Sequence, residues 1–394
     1  MNPPFAYDTV DYPSSTLPQA HPGHLFAVSQ MFGLDSTPVE RCRYLEIGCG
    51  DGTHLIAAAL GLPNATFVGI DMSASAIERG IRIIAELGLP NVSLSTADLM
   101  HWEPPIDGFD YAIAHGLYSW VPAPIRDGLL ALLAKCLQKQ GVGYVSYNAY
   151  PGCYIRRMLW EMLRFHTAEK TDPSAKMQGA IELTRFLTAG RPKKLDAALA
   201  LLGPELNEIL ENRDPRVLYH DDLGEVNDPV YFHEFAAHAG RFGLRFVAEV
   251  EQFLMETRGF PSDVARKLNG LAAKDVLLKE QYIDFLQLRR FRHTLLSPDG
   301  GSPREDPDPK RIASLLISGN PKPDGNVADL KPKVAVTFRA ARDAVARTDL
   351  AIGKAAMVVL AARWPARIPF PELLRAAAQK LGRMSELTDA EDLG

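Results

Sequence analysis

From Arg43 to Asn148 the chain alternates short apolar runs with longer stretches of helical periodicity. "RYLEIG" reads as a strand and "THLIAAALG" as a helix. "ATFVGID" is a second strand, and "SASAIERGIRIIAELG" a second helix opened by a serine cap. "NVSLSTAD" is a third strand, "FDYAIAHG" a fourth, "APIRDGLLALLAKCLQ" a helix and "GVGYVSYN" a fifth strand. This alternation predicts right-handed βαβ units. The expected fold is α/β, with a doubly wound, mainly parallel sheet covered on both faces.

After Tyr150 the pattern changes. Residues 153–212 read as almost wholly helical. "DPVYFHEFAAHAGRFG" is then a helix and "LRFVAEVEQF" a strand, a pair that completes the sheet and makes the helical stretch an insertion. Mostly helical residues are expected from there to Leu296, and "SPDGGSPREDPDPK" is a linker by composition. Beyond it, "RIASLLIS" and "KVAVTFRA" read as strands, and "LAIGKAAMVVLAARW" and "FPELLRAAAQKLG" as helices. Disorder is expected in the acidic tail "SELTDAEDLG". The resulting division is an N-terminal arm (1–40), an α/β core (41–152), a helical insertion (153–212), a region completing the sheet (213–296), a linker (297–310) and a C-terminal α+β module of winged-helix-like type (311–394).

Length and composition narrow the function. A chain of 394 residues exceeds one ordinary core. A net charge of -5 offers no general attraction to nucleic acid or to an anionic membrane, so neither is an expected partner. No apolar run reaches membrane-spanning length, and the opening "MNPPFAYDTV" lacks the features of a signal peptide. None of the four cysteines forms a Cys-x-x-Cys pair, so inert thiols in a reducing cytoplasm are expected.

The chemistry concentrates in "EIGCGDG", where Gly48, Gly50 and Gly52 follow the first strand. In an open α/β sheet this turn lies at the carboxyl ends of the strands, where ligands bind. A dinucleotide fingerprint would need its third glycine at position 53, which is Thr53. Instead Glu46 precedes the turn, where a carboxylate repels pyrophosphate and attracts an amine or a sulfonium. Asp71, at the tip of the second strand, suits ribose hydroxyls and alone fits a nicotinamide dinucleotide equally well. Asp98, at the tip of the third, suits an exocyclic adenine amine. Together they describe an adenosine carrying a zwitterionic amino-acid tail, with Cys49, Met72 and Leu99 as adjoining contacts. The loop "HGLYSWVP" brings His115, Tyr118 and Trp120, and the fifth strand ends in Tyr147 and Asn148. These five residues are the candidate wall of an acceptor channel, with His115 also against the cofactor.

In these motifs the stretch from Arg43 to Asn148 resembles the class I S-adenosylmethionine-dependent methyltransferases. From Tyr7 to Leu296, "YDTVDYPSSTLPQAHPGHL", "HGLYSWVP", "YNAYPG" and "NDPVYFHEFAAHAGRFGLRFVAE" resemble the bacterial methyltransferases with a methyltransferase regulatory domain, which include protein lysine methyltransferases of outer-membrane proteins. The resemblance implies S-adenosylmethionine as donor, S-adenosylhomocysteine as product, a cytoplasmic enzyme and a lysine side chain as acceptor. It also implies that Tyr7, Tyr12 and His21 belong to an arm closing over the cofactor. The C-terminal module resembles only the beginning of the family's longer C-terminal region.

Three functions follow as expectations: a protein lysine methyltransferase, a small-molecule methyltransferase, or a non-catalytic S-adenosylmethionine-binding regulator. The partner is accordingly a lysine-containing protein or a small molecule, and the oligomeric state stays open, a homodimer included. No metal is expected, because His233 and His238 in "HEFAAH" are five positions apart and diverge around a helix. The basic "LQLRRFRH" reads as a solvated helix face rather than an RNA contact.

Overall fold

The computed structural model describes residues 5–190, 197–273, 275–298, 303–304, 306–324, 330–341 and 344–382. The chain divides into two compact units, Met1–Glu305 and Asp306–Gly394.

The first unit is built on β1 (Arg43–Ile47), β2 (Thr66–Asp71), β3 (Val92–Thr96), β4 (Phe109–Ala114), β5 (Leu137–Asn148), β6 (Leu244–Glu249) and β7 (Phe291–Pro298). They form one sheet in the order β3-β2-β1-β4-β5-β7-β6. β3 through β5 run parallel, and β7 lies antiparallel between β5 and β6. This is the expected doubly wound α/β architecture. All six residues of β4 are buried, as a central strand covered on both faces requires. Chain order reverses between β1 and β4, which places the switch point, and the cavity described below, at their carboxyl ends.

The helices of this unit are α1 (Ala6–Thr9), α2 (Pro22–Met31), α3 (Thr53–Gly61), α4 (Ala74–Leu87), α5 (Ala123–Cys136), α6 (Cys153–Thr167), α7 (Pro173–Ala189), α8 (Ala197–Glu211), α9 (Pro215–Val217), α10 (Phe232–Gly240), α11 (Ser262–Ala272) and α12 (Val276–Gln287). α4 opens on the expected serine, whose Ser73 Oγ accepts from Ala76 N at 3.2 Å. Gly80 lets α4 seat against the β1–α3 turn, since a Cβ there would stand 2.2 Å from the Asp51 carbonyl. α6, α7 and α8 pack around their own apolar cluster, including Leu159, Leu163 and Leu206.

The structure corrects the reading of residues 254–296 as mostly helical. α12 stops at Leu288, which takes a left-handed φ of 48°, and the chain then enters β7. "LQLRRFRH" is therefore neither a solvated face nor one helix. Arg292 is wholly buried on β7. It donates to Glu249 Oε1 at 2.6 Å, to Asp284 at 2.8 and 2.9 Å, and to Glu280 at 3.3 Å. Its guanidinium also lies 3.9 Å from the Phe232 ring centroid. A charged residue at an inward-facing position interrupts the apolar alternation that would otherwise mark the strand.

In the second unit, β8 (Leu316–Ile317) pairs with β12 (Ile368–Pro369), and β9 (Lys322–Pro323), β10 (Val336–Arg339) and β11 (Val345–Thr348) form a three-stranded sheet. α13 (Ala351–Arg363) and α14 (Phe370–Lys380) match the expected helices. "RIASLLIS" is mostly not a strand. Pro309–Ser314 is a 3-10 turn capped by Asp308, whose Oδ1 accepts from Lys310 N at 3.1 Å. The acidic tail lies outside the described residues.

The ion cluster on β7 yields a stability prediction. Arg292→Met leaves three buried carboxylates without their shared cation and is expected to lower unfolding stability in urea by ~3–5 kcal/mol. Arg258→Met, which removes an exposed pair with Glu256, is expected to change it by less than ~1 kcal/mol.

Candidate active site

The ends of β1, β2 and β4 open onto a cavity of about 1090 Å³. Its floor is the β1–α3 turn, where Gly48, Gly50 and Gly52 have φ of 76°, 56° and 71°, a region that side-chain-bearing residues rarely adopt. A Cβ on Gly50 would meet nothing within 4 Å, so its absence keeps this wall open. The turn is fixed from β2: Gly50 N donates to Asp71 Oδ2 at 2.8 Å, and Ser73 N to Asp71 Oδ1 at 2.7 Å. Burial raises the Asp71 pKa from its ordinary value, against the opposing pull of these two bonds.

Glu46, the last residue but one of β1, lies beneath the turn and is only 4% exposed. Its Oε2 has no hydrogen-bond partner among the described residues. Burial first, then the charges of Asp71 and Asp51, hold its pKa well above the usual value. Asp98 Oδ1 accepts from Met100 N at 2.9 Å, and its Oδ2 lies 3.1 Å from His101 Nδ1. Cys49, Met72 and Leu99 line the same cavity. This side of the cavity thus gathers hydrogen-bond acceptors with unused capacity, fitted to a ligand rich in donors and carrying positive charge.

The N-terminal arm crosses the cavity, with Tyr7, Tyr12 and Leu17 among its lining. Side chains staple it down. Asp8 Oδ1 accepts from Ser73 Oγ at 2.7 Å and from Ser75 N at 3.2 Å, Arg79 pairs with Asp11 at 3.0 Å, and Ser14 donates to Asp51. Leu17 N donates to His54 Nδ1 at 3.2 Å, and His54 Nε2 meets Tyr44 Oη at 3.1 Å. Burial depresses the His54 pKa to about 4, so the ring stays neutral and Nδ1 stays an acceptor. On its other side the arm meets a π-helical turn, Leu218–Asp222. Tyr7 stacks on His220 with centroids 4.1 Å apart, and Tyr12 Oη donates to Asp221 Oδ1 at 3.4 Å.

Facing the glycine turn, the cavity is walled by His115, Trp120, Asn148 and Phe291. His115 Nδ1 lies 2.8 Å from Tyr144 Oη, and burial, then His293, depresses its pKa to about 3. His115 is therefore neutral at working pH. Asn148 N donates to Ser119 Oγ at 2.9 Å, and its Nδ2 to Asn227 Oδ1 at 3.2 Å.

Three expected site residues lie elsewhere. Tyr118 and Tyr147 do not line the cavity; both rings are buried in the core against Phe235. Tyr118 Oη lies 2.7 Å from His238 Nδ1, and Tyr147 Oη lies 3.0 Å from Thr294 Oγ1. The 3-10 turn Tyr118–Trp120 sends neighbouring rings to opposite sides, which a list of loop aromatics does not reveal. His21 is likewise not part of the cavity lining; its Nδ1 caps α2 by accepting from Gly23 N at 3.0 Å. Conversely, Arg156, Glu205 and Asp221 line the cavity without any motif to announce them, and Arg290 does so from the stretch read as a solvated face. Of the remaining histidines, His233 Nδ1 lies 2.8 Å from Gln281 Oε1 and His238 Nε2 lies 2.7 Å from Asp127 Oδ1.

Comparison with known proteins adds to this geometry. A family model described as a methyltransferase domain matches residues 38–180, and one described as a predicted methyltransferase regulatory domain matches residues 214–297. The uncharacterized protein RP028 of Rickettsia prowazekii is 32% identical over 234 residues, covering 59% of this chain and 93% of RP028. RP789 of the same organism is 32% identical over 290 residues, covering 74% of this chain and 52% of RP789. The chain thus spans about half the length of RP789. Among solved structures, PKMT2 from Rickettsia typhi in complex with AdoHcy is 28% identical with a TM-score of 0.81, over 97% of this chain and 73% of that one.

The placement of Tyr118 yields a second prediction. Tyr118→Phe loses one core hydrogen bond and is expected to lower stability in urea by about 1 kcal/mol. Affinity for a ligand of the glycine turn, read by calorimetry, is expected to stay unchanged.

Proposed function

Because the chain belongs to the methyltransferases that carry a methyltransferase regulatory domain, we propose that it transfers a methyl group from S-adenosylmethionine to a lysine side-chain amine of a protein. The observation that carries this reading is the likeness to PKMT2, a protein lysine methyltransferase, over 97% of this chain. The cavity fits the donor. The orphan Oε2 of Glu46 suits the ammonium of its amino-acid tail, and Asp71 and Asp98 suit ribose hydroxyls and the adenine amine. The open face of Gly50 lets backbone approach the ligand closely.

When bound, the donor supplies a methyl carbon already activated by sulfonium. What remains for this chain is to align the acceptor, exclude water and leave the acceptor nitrogen with a free lone pair. The arm contributes cover through Tyr7 and Tyr12. Trp120 and Phe291 offer aromatic faces to cationic groups. His115, neutral and tied to Tyr144, presents no charge to repel an incoming ammonium. The cavity runs from the glycine turn to Asn148, which favours catalysis over a purely regulatory binding role.

The test is incubation with methyl-labelled S-adenosylmethionine and a bacterial lysate, followed by fractionation. Label is expected in protein and, after hydrolysis, in N-methylated lysine. Asp71→Ala is expected to abolish incorporation and to weaken S-adenosylhomocysteine binding by about tenfold or more. Label confined to small solutes would replace the lysine acceptor with a small molecule.

A further inference from the structure

We propose that Asp221, on the π-helical turn Leu218–Asp222, is the carboxylate that receives the ammonium group of the acceptor within the methyl-transfer cavity. The proposal rests on the methyltransferase reading above and assigns the residue that selects an amine as its acceptor.

The carboxylates on the cavity wall are not equivalent. Glu46, Asp51 and Asp71 belong to the glycine turn and the strand ends beneath it, Asp51 accepting from Thr53, and Asp98 at the next strand tip accepts from Met100 N at 2.9 Å. Glu205 is matched by Arg290 at 2.6 Å, and Glu208 is exposed and accepts from Asn212 at 3.2 Å. Of the acids away from the glycine turn, Asp221 is the most loosely held. Its Oδ1 takes a long hydrogen bond from Tyr12 Oη, 3.4 Å, and its Oδ2 stands 3.9 Å from Arg156. Arg156 makes its closer bond to Asp222, at 3.0 Å, and Arg213 also turns to Asp222, at 3.4 Å. Asp221 therefore keeps accepting capacity in a cavity large enough for a second molecule beside a nucleoside.

Its position agrees with this role. From His115 the wall continues through Phe291, whose ring lies 6.1 Å from the imidazole, to Cys153, whose Sγ donates to Arg290 O at 2.9 Å. One turn further along α6 stands Arg156, and beside it Asp221. Tyr7 and Tyr12 close the gap back to Asp71, so the acid is covered by aromatic rings that favour a cation. Burial raises its pKa to about 6, against the lowering pull of Arg156. The groups facing it are Arg156 from α6, Arg213 beyond α8, His220 and Asp222 on its own turn, and Tyr7 and Tyr12 from the arm. Burial lowers the His220 pKa and raises those of both tyrosines.

The test uses two analogues of the donor in which nitrogen replaces the sulfonium, one bearing an aminobutyl arm and the other a butyl arm. Affinities are measured by calorimetry on the full chain at pH 7.5 and pH 5, with S-adenosylhomocysteine as the reference. In the wild type the ammonium arm is expected to bind about tenfold to a hundredfold tighter than the butyl arm at pH 7.5. The preference is expected to shrink at pH 5, where Asp221 takes up a proton. In Asp221→Asn, S-adenosylhomocysteine is expected to bind as in the wild type, which reports an intact fold, while the arm preference disappears at both pH values. A preference that survives in Asp221→Asn overturns the assignment and leaves the methyltransferase reading standing. Failure of the wild type to bind S-adenosylhomocysteine overturns both.

Discussion

A carboxylate buried near the tip of a central strand, with its Oε2 unpartnered among the described residues, is the constraint on which the site depends. Glu46 sits where the sheet order reverses, under a turn whose three glycines take left-handed φ values that side-chain-bearing residues rarely adopt. Left alone, such a group is costly in its charged form, and burial pushes its pKa well above the usual value. Its position makes sense once a cation is expected above it. Asp71 then does two things at once. It ties the turn to β2 through Gly50, and it leaves lone pairs for a ligand's hydroxyls.

The remainder of the first unit closes space around that point. The arm is pinned on one side to α4 and to His54, and on the other to the π-helical turn. That turn, together with Arg290 and Phe291, falls within the residues matched by the regulatory domain. The same region supplies β7, which joins β5 to β6 and carries the buried cation of Arg292. The regulatory segment is thus part of the sheet and part of the cavity wall.

Much of this was legible in the chain, because local chemistry dictates it. The glycines of the first turn, the serine that caps α4 and the acids at the strand tips are signals that sit within a few residues of their effect. What stayed hidden depends on contacts distant in sequence. β7 was masked by Arg292, whose partners lie on β6 and α12. Tyr118 and Trp120 are two positions apart, yet one faces the core and the other the cavity, because a 3-10 turn separates them. Asp221 carries no motif, and its relation to Tyr12 spans 209 positions of sequence.

The central claim is that a cationic ligand completes Glu46, and proton uptake or release tests it most directly. Binding of S-adenosylhomocysteine is measured by calorimetry near neutral pH in buffers of different ionisation enthalpy. An ammonium placed beside Glu46 favours the ionised carboxylate, so a net release of protons is expected in the wild type and its loss in Glu46→Gln. Binding with no proton release, or with a release unchanged in Glu46→Gln, would contradict the account.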